Sequence, residues 1–363
     1  MSHEIAGDSA AARLSSDDDA ATRIIGDSGV PDEPSTHVPI DARRGPAWWQ
    51  TFLSKYALII VWALMALFFY QQMPDIFGSA PALSAIFGSQ QAVVLIFLAM
   101  AAMVTLIVGE FDLSVASIMG LTAVMVPVLV TYKGWSVPMA CVGALVAALL
   151  CGAVNAYFVV VLDVSSFVVT LGTATLILGV TQWVSDSSLV SLIDEGFSSL
   201  SITHYLGLPV SLYYGVGLTL LIAYVLAFTP LGRHMLFVGA NREVARLAGI
   251  RVNRIRFGAY LVGAVLAGLA GMILVSSLGG FDSATSASFL LPALAAVFLG
   301  TAVVQPGQFN PIGTLIAIFF LQTGIFGLQL MGFPGWIQNV FYGAGLVVAV
   351  ALAKIVRNRS RAA

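Results

Sequence analysis

Gly239–Arg256, GANREVARLAGIRVNRIR, is a basic run lying between two long apolar blocks. In that setting it reads as the one interior stretch that water must own. Asn241 can cap a helix start, Glu243 falls in the positive first turn, Arg246 near the negative end, and Gly249 at the left-handed C′ position. The pattern predicts a helix of about seven residues, roughly 10 Å long. A helix that short is marginal alone in water, so it is expected to be ordered by packing on something, another protein among the candidates.

The rest of the chain supplies the solvent. With 59% apolar residues, 9% charged residues and a mean hydropathy of +0.95 over 363 residues, the sequence reads as an all-α integral membrane protein. The net charge of −2 hides an asymmetry, because nine of the 18 acidic residues fall within residues 1–50 against four arginines there. Residues 1–54, Ser/Asp-rich and Pro-containing, are expected to be a disordered acidic tail. No charged n-region followed at once by an apolar run is present, so the first apolar run, from Tyr56, reads as a retained anchor. Cys141 and Cys151 stand ten residues apart in one apolar run, roughly 15 Å if helical and too far for a disulfide within that helix. They read as packing residues. The three lysines, Lys55, Lys133 and Lys354, stand outside any GxxxxGK[ST] context, so any ATP must be bound by another chain. Paired acids, metal-spaced histidines and an activated nucleophile are missing from the apolar runs, which argues against an intramembrane enzyme and predicts no metal site. Nothing marks a nucleic-acid partner.

A bilayer core of about 30 Å needs about 20 apolar residues per helix. Segments of that size fall at 56–73, 91–109, 112–131, 136–161, 166–185, 211–228, 257–278, 288–304, 311–330 and 335–354, about ten spans within a 55–354 transmembrane domain. The positive-inside rule tests the count. Five basic residues precede the first span, six lie between the sixth and seventh (Arg233, Arg242, Arg246, Arg251, Arg254, Arg256) and four lie at the end (Lys354, Arg357, Arg359, Arg361); only Lys133 falls in a loop assigned outside. Both termini, the 229–256 loop and the basic 355–363 tail are therefore expected in the cytosol. Glu110, Asp112, Asp163 and Lys354 sit at span ends, and no Asp, Glu, Lys, Arg or His falls in the interior of an assigned span, which disfavours ion coupling.

Several motifs carry two readings each. Gly109, Glu110, Asp112 and Ser114 lie in the run that joins the second and third spans. Structurally, Asp112 caps the third helix, Glu110 adds charge at its positive end, and Gly109 ends the helix before. Functionally, the same run is a contact or gate element near the cytosolic mouth. Ser165–Thr173, with Phe167, Thr170 and Thr173, opens the fifth span, and Leu299-Gly300-Thr301 closes the eighth. Small and hydroxylated residues there serve helix packing or pore lining. Gly263, Ala267 and Gly271 give the seventh span a small-residue packing face. Asn155, Gln182, Gln322 and Asn339 are uncharged polar groups able to bond a hydroxylated solute or a neighbouring helix. The long connection 186–210 carries Asp186, Asp194 and Glu195 without lysine or arginine. It is either an acidic docking surface for a soluble partner or a solvated loop with a short surface helix.

These residues resemble a family, the ribose-type permeases of bacterial ABC importers, within the wider group that includes branched-chain amino-acid permeases. The resemblance covers roughly residues 55–354. Gly109-Glu110-Phe111-Asp112-Leu113-Ser114-Val115 resembles the signature of Gly, a variable pair, then Asp-Leu-Ser-Val, and Phe167–Thr173 resembles the Phe-Ile-Val-Thr-Leu-Gly-Thr segment that follows it. Gly239-Ala240-Asn241, Ala245, Leu247 and Gly249-Ile250 are similar to the cytosolic loop that docks into the ATPase. Ala116, the Gly300–Gly307 block and Leu290-Leu291-Pro292 depart from the family pattern and leave substrate identity open. The resemblance implies the ABC importer permease fold in the bacterial cytoplasmic (inner) membrane. It also implies a homodimer with a second permease copy, a cytosolic ABC ATPase holding ATP-Mg, and an extracytoplasmic solute-binding protein. A monosaccharide or similar polyol is the expected cargo, with a branched-chain amino acid as the alternative. A partner-independent facilitator is the reading from another class. Gly239, Asn241, Arg242, Glu243, Ala245, Arg246, Leu247, Gly249 and Ile250 form the expected ATPase-coupling element.

Overall fold

The computed structural model describes residues 48–192 and 194–362. The chain begins with α1 (Trp48–Gln72), short α2 (Pro74–Phe77) and α3 (Ala80–Phe87), then α4 (Gln90–Ile107), α5 (Val115–Lys133) and α6 (Val137–Ala156). A π-helical turn over Tyr157–Val161 continues α6, followed by α7 (Ser166–Val184), α8 (Glu195–Ile202), α9 (Val210–Phe228), α10 (Pro230–Ala240) and α11 (Arg242–Leu247). After α12 (Val252–Leu278) comes a 3-10 stretch (Ser283–Phe289), then α13 (Leu290–Gly300), α14 (Pro311–Leu330) and α15 (Trp336–Ala362). Strands are confined to two antiparallel pairs among the described residues. β1 (Val190–Ser191) pairs with β4 (Gly280–Phe281), and β2 (His204–Tyr205) pairs with β3 (Leu208–Pro209).

Among the described residues eight helices are long and apolar enough to cross a membrane, and Ala284–Gly300 and Trp336–Ala351 are shorter apolar helices. Together they match the ten predicted spans one for one. The differences are at the ends. α3 leads into the second span, which the sequence reading began at residue 91, because Ser79 caps α3 and Ser89 restarts the helix at α4. The first helix starts at Trp48, inside the expected tail, and α15 runs on through Ala362, past the expected boundary at 354. Of the disordered tail expected over 1–54, residues 1–47 lie outside the described residues and 48–54 belong to α1.

The core is built on α4. From Ala92 through Ile107 every residue of this helix is buried, as an all-round apolar sequence requires. Because lipid is as apolar as leucine, close helix approach depends on small residues. The expected small-residue face of α12 performs that role. Gly263 sits against the Ala101 carbonyl of α4 and Gly268 against Ala148 of α6, while Gly271 lies against the Met119 carbonyl and Thr122 of α5. Thr122 Oγ1 donates to the Gly268 carbonyl at 3.1 Å, so one hydroxyl seals the α5–α12 contact. Leu299-Gly300-Thr301 closes α13 as a packing motif, with Gly300 against the Gly313–Thr314 backbone. Cys141 and Cys151 are free and half-buried against the core, the packing role expected of them.

Candidate functional site

The turn between α4 and α5 is a fixed piece of backbone. Gly109 (φ +79°) ends α4 as its left-handed C′ residue, its N–H bonding the Leu106 carbonyl at 3.0 Å and that of Glu110 the Thr105 carbonyl at 3.0 Å. This arrangement turns the chain so that the Glu110 side chain points inward, where it is 3% exposed.

The segment expected to couple to the ATPase has the local shape that its sequence predicts. Asn241 Oδ1 accepts from the backbone N–H groups of Glu243 (3.0 Å) and Val244 (3.1 Å), capping α11. Gly249 (φ +79°) closes it, with Gly249 N–H to the Arg246 carbonyl and Ile250 N–H to the Ala245 carbonyl, both 3.0 Å. The helix has six residues against about seven expected. Ala245 is buried, Leu247 is 88% exposed, and Arg246 and Glu243 form a loose surface pair at 3.8 Å.

Two parts of the sequence reading need correction here. The 229–256 segment is not a loop with one helix: α10 precedes α11, and α12 begins at Val252, so Arg254 and Arg256 belong to the long helix. Arg256 is buried, so water does not own the whole run. Asp112 does not cap α5. Ser114 occupies that position without a side-chain cap, and Asp112 Oδ1 instead accepts from Ser114 N–H (2.9 Å) and Ser114 Oγ–H (2.6 Å). Nor is Glu110 a charge for the start of α5, because two arginines take it.

Glu110 Oε1 accepts from Arg256 Nε at 2.6 Å and from Arg242 Nη2 at 2.7 Å. Arg242 Nη2 also donates to the Gly109 carbonyl at 2.8 Å, and Arg256 Nη2 to the Val159 carbonyl of the π turn at 3.3 Å. One carboxylate thus joins four elements: the α4–α5 turn, α11, α12 and the end of α6. Behind it, a Cβ at Gly239 would collide with the Ile107 carbonyl, so the end of α10 lies directly on the end of α4. Arg256 is the residue of this cluster that the sequence-based site left out. The available signal was a carboxylate and an arginine each at a span end, where an ionisable group needs a named partner.

A second network adjoins the first. Asn155 Nδ2 donates to Ser114 Oγ at 2.7 Å and Thr173 Oγ1 donates to Asn155 Oδ1 at 2.7 Å. Thr170 Oγ1 accepts from Leu113 N–H at 3.1 Å, and Ser166 Oγ from Phe111 N–H at 3.3 Å. Asp112, Ser114, Asn155 and Thr173 therefore form one chain across the start of α5, α6 and α7, and Thr170 bonds the α4–α5 turn. Burial pushes the Asp112 carboxyl above its ordinary range, against the two Ser114 hydrogen bonds that pull it down. Its Oδ2 has no hydrogen-bond partner among the described residues.

The remaining expected residues lie apart. Phe167 is exposed on α7. Gln322 is buried in α14 and Asn339 is exposed on α15; neither joins the Asn155 network. Asp194 caps α8 by accepting from Phe197 N–H at 2.7 Å, while Glu195 and Asp186 are exposed. That region contains the short surface helix of the solvated-loop reading. No group of three or more metal-ligating side chains occurs among the described residues.

The family model described as "Branched-chain amino acid transport system / permease component" matches residues 84–350, a stretch that holds every element of the site. The chain belongs to this permease family. The permease is 30% identical over 251 residues to the autoinducer 2 import system permease protein LsrC of Salmonella paratyphi B, covering 69% of this chain and 72% of that one. It is 31% identical over 255 residues to LsrC of Photorhabdus laumondii, covering 70% and 76%. With LsrD of Salmonella paratyphi B it shares 29% over 262 residues, covering 70% and 78%. No solved structure matches. The permease is thus the multi-pass membrane subunit of a bacterial ABC importer of the inner membrane, and its family works with an ATPase on separate chains and with a solute-binding protein.

Proposed function

We propose that the permease moves a small neutral polyhydroxylated solute, a monosaccharide or similar polyol, into the cytosol by ATP-driven alternating access, as a homodimer around a central pathway. The observation that carries the mechanism is the Glu110 node. Gly239 to Ile250 receives the push of the ATPase, and Arg242 passes any displacement of α11 to the α4–α5 turn through a 2.7 Å ion pair. Arg256 carries the same displacement into α12, the helix packed on α4, α5 and α6. The Arg256–Glu110 pair is desolvated, and such a link transmits movement where a solvated loop would absorb it, because a buried ion pair tolerates little change of geometry. The 229–256 segment and both termini face the cytosol in this reading. ATP-Mg stays on the partner ATPase, and the exposed acids Asp186 and Glu195 meet the binding protein.

The solute class is read from the spans. No Asp, Glu, Lys, Arg or His lies in the middle of any described span, and the uncharged polar groups near the α4–α5 turn include the hydroxyls and amide of Ser114, Asn155, Thr170 and Thr173. Autoinducer 2, named for the relatives, is a candidate on the same footing. A branched-chain amino acid is the second reading, on the description of the matching family. Reconstitution into vesicles with its partner ATPase and binding protein decides among them. ATP-dependent uptake of a labelled monosaccharide, and none of leucine, is expected; leucine uptake selects the second reading. Uptake without either partner, or normal uptake after scrambling Asn241–Gly249, overturns the importer mechanism.

A further inference from the structure

The two arginines of α12 have different fates. Arg256 is buried on Glu110, whereas Arg254, two residues earlier, is exposed and makes no ion pair among the described residues. Arg254 stands at the mouth of an apolar groove of about 520 Å³. Leu221 and Val225 of α9, Met235 of α10, and Val262 and Leu266 of α12 line its walls, with Val104 of α4 as the floor. Leu221 and Val262 are 58% and 49% exposed, so the groove opens sideways. From Arg254 to Leu266 is a rise of roughly 18 Å along the helix. One leaflet of the hydrocarbon core, half of about 30 Å, is of the same depth. Arg254 also lines a second, polar cavity of about 350 Å³ together with Arg246, Arg251 and Asn253.

We propose that the groove between α9, α10 and α12 binds one anionic phospholipid, with an acyl chain along its apolar walls and the phosphate at Arg254. The charge pattern selects that occupant. An unpaired cation at the interface end of an acyl-length apolar slot complements a molecule that is anionic at one end and aliphatic along the rest, and basic pockets between membrane helices on the cytosolic side take such headgroups. A free phosphate would leave the apolar walls uncovered. α10 fits the same setting. It presents Leu231, Leu236 and Phe237 to the outside beside Arg233, as a helix lying in the membrane interface does. The inference rests on the cytosolic placement of 229–256 but not on the cargo.

Native mass spectrometry of the full-length permease, titrated with dioleoyl-phosphatidylglycerol or dioleoyl-phosphatidylcholine, tests it. The wild type is expected to keep a one-lipid adduct with the anionic lipid preferred, and Arg254→Gln to lower that preference about fivefold, the worth of one interfacial cation. Gly258 lines the groove and a Cβ there would meet nothing within 4 Å, so a side chain can start from this position, and Gly258→Leu is expected to occupy the groove and remove the adduct with either lipid. Equal retention of both lipids by the wild type overturns the proposal, as does a preference unchanged in Arg254→Gln. A Gly258→Leu protein that keeps its lipid but falls from dimer to monomer overturns it in favour of a second copy in the groove. The assay reads no transport, so its failure and the failure of the importer mechanism are separate results.

Discussion

Glu110 and Arg256 meet at 2.6 Å with side chains 3% and 7% exposed, a desolvated ion pair between the α4–α5 turn and the first turns of α12. Removing one member of such a pair strands the other charge, at a cost of about 3–5 kcal/mol. Arg256→Met is expected near the lower end of that range, because Arg242 still neutralises Glu110. Thermal unfolding in detergent measures it, and a wild-type melting temperature contradicts the buried pair.

Arg242 shares Glu110 from a half-exposed position, its side chain 38% exposed, so its contribution to stability is about 1 kcal/mol or less. Its expected effect is on coupling. Arg242→Gln should fold and insert normally yet lower the uptake obtained per ATP hydrolysed in vesicles that contain both partners. An unchanged ratio places the transmission elsewhere.

Gly239 and Gly249 require glycine for different reasons, and the two alanine variants separate them. At Gly249 the added methyl meets nothing within 4 Å, so the cost is the left-handed backbone alone, about 1–2 kcal/mol. At Gly239 the methyl strikes the Ile107 carbonyl, and α10 must move off α4. Gly239→Ala is therefore expected to be the more damaging for uptake at equal expression. The reverse order would deny the α4–α10 contact its role.

Asn241→Ala removes the cap that holds two backbone N–H groups of α11, at a cost of about 1 kcal/mol. A six-residue helix has little else to keep it formed. Hydrogen exchange at Glu243 and Val244 is expected to accelerate while the spans stay protected; equal protection would mean that packing of Ala245 suffices.

Asp112 predicts a pH dependence. Its folded-state value is raised, chiefly by burial, so its contribution to stability is full below the ordinary carboxylate value of 3.8 and is lost as pH rises through the folded value. Wild type should therefore lose stability relative to Asp112→Asn as pH climbs above 3.8. Parallel melting curves across that range would show that the carboxyl is not desolvated.

Much of this protein was determined by sequence alone. Apolar runs of bilayer length fix a helical membrane protein, because backbone polar groups in lipid must be satisfied within each segment. Asn241 and Gly249 fix both ends of α11, because capping and left-handed geometry are local chemistry. Gly109 ends α4 for the same local reason.

Tertiary structure alone decided what these local pieces do together. Glu110 read as a helix-start charge because sequence shows neighbours, whereas its partners stand 132 and 146 residues away. Arg256 read as part of a solvated basic run, and only the packing of α12 on the α6 end buries it. Asp112 read as a cap, and the geometry of the turn gives its oxygen to Ser114 instead. Which charges lie in water and which are paired out of it depends on how helices distant in sequence pack, and no local pattern specifies that.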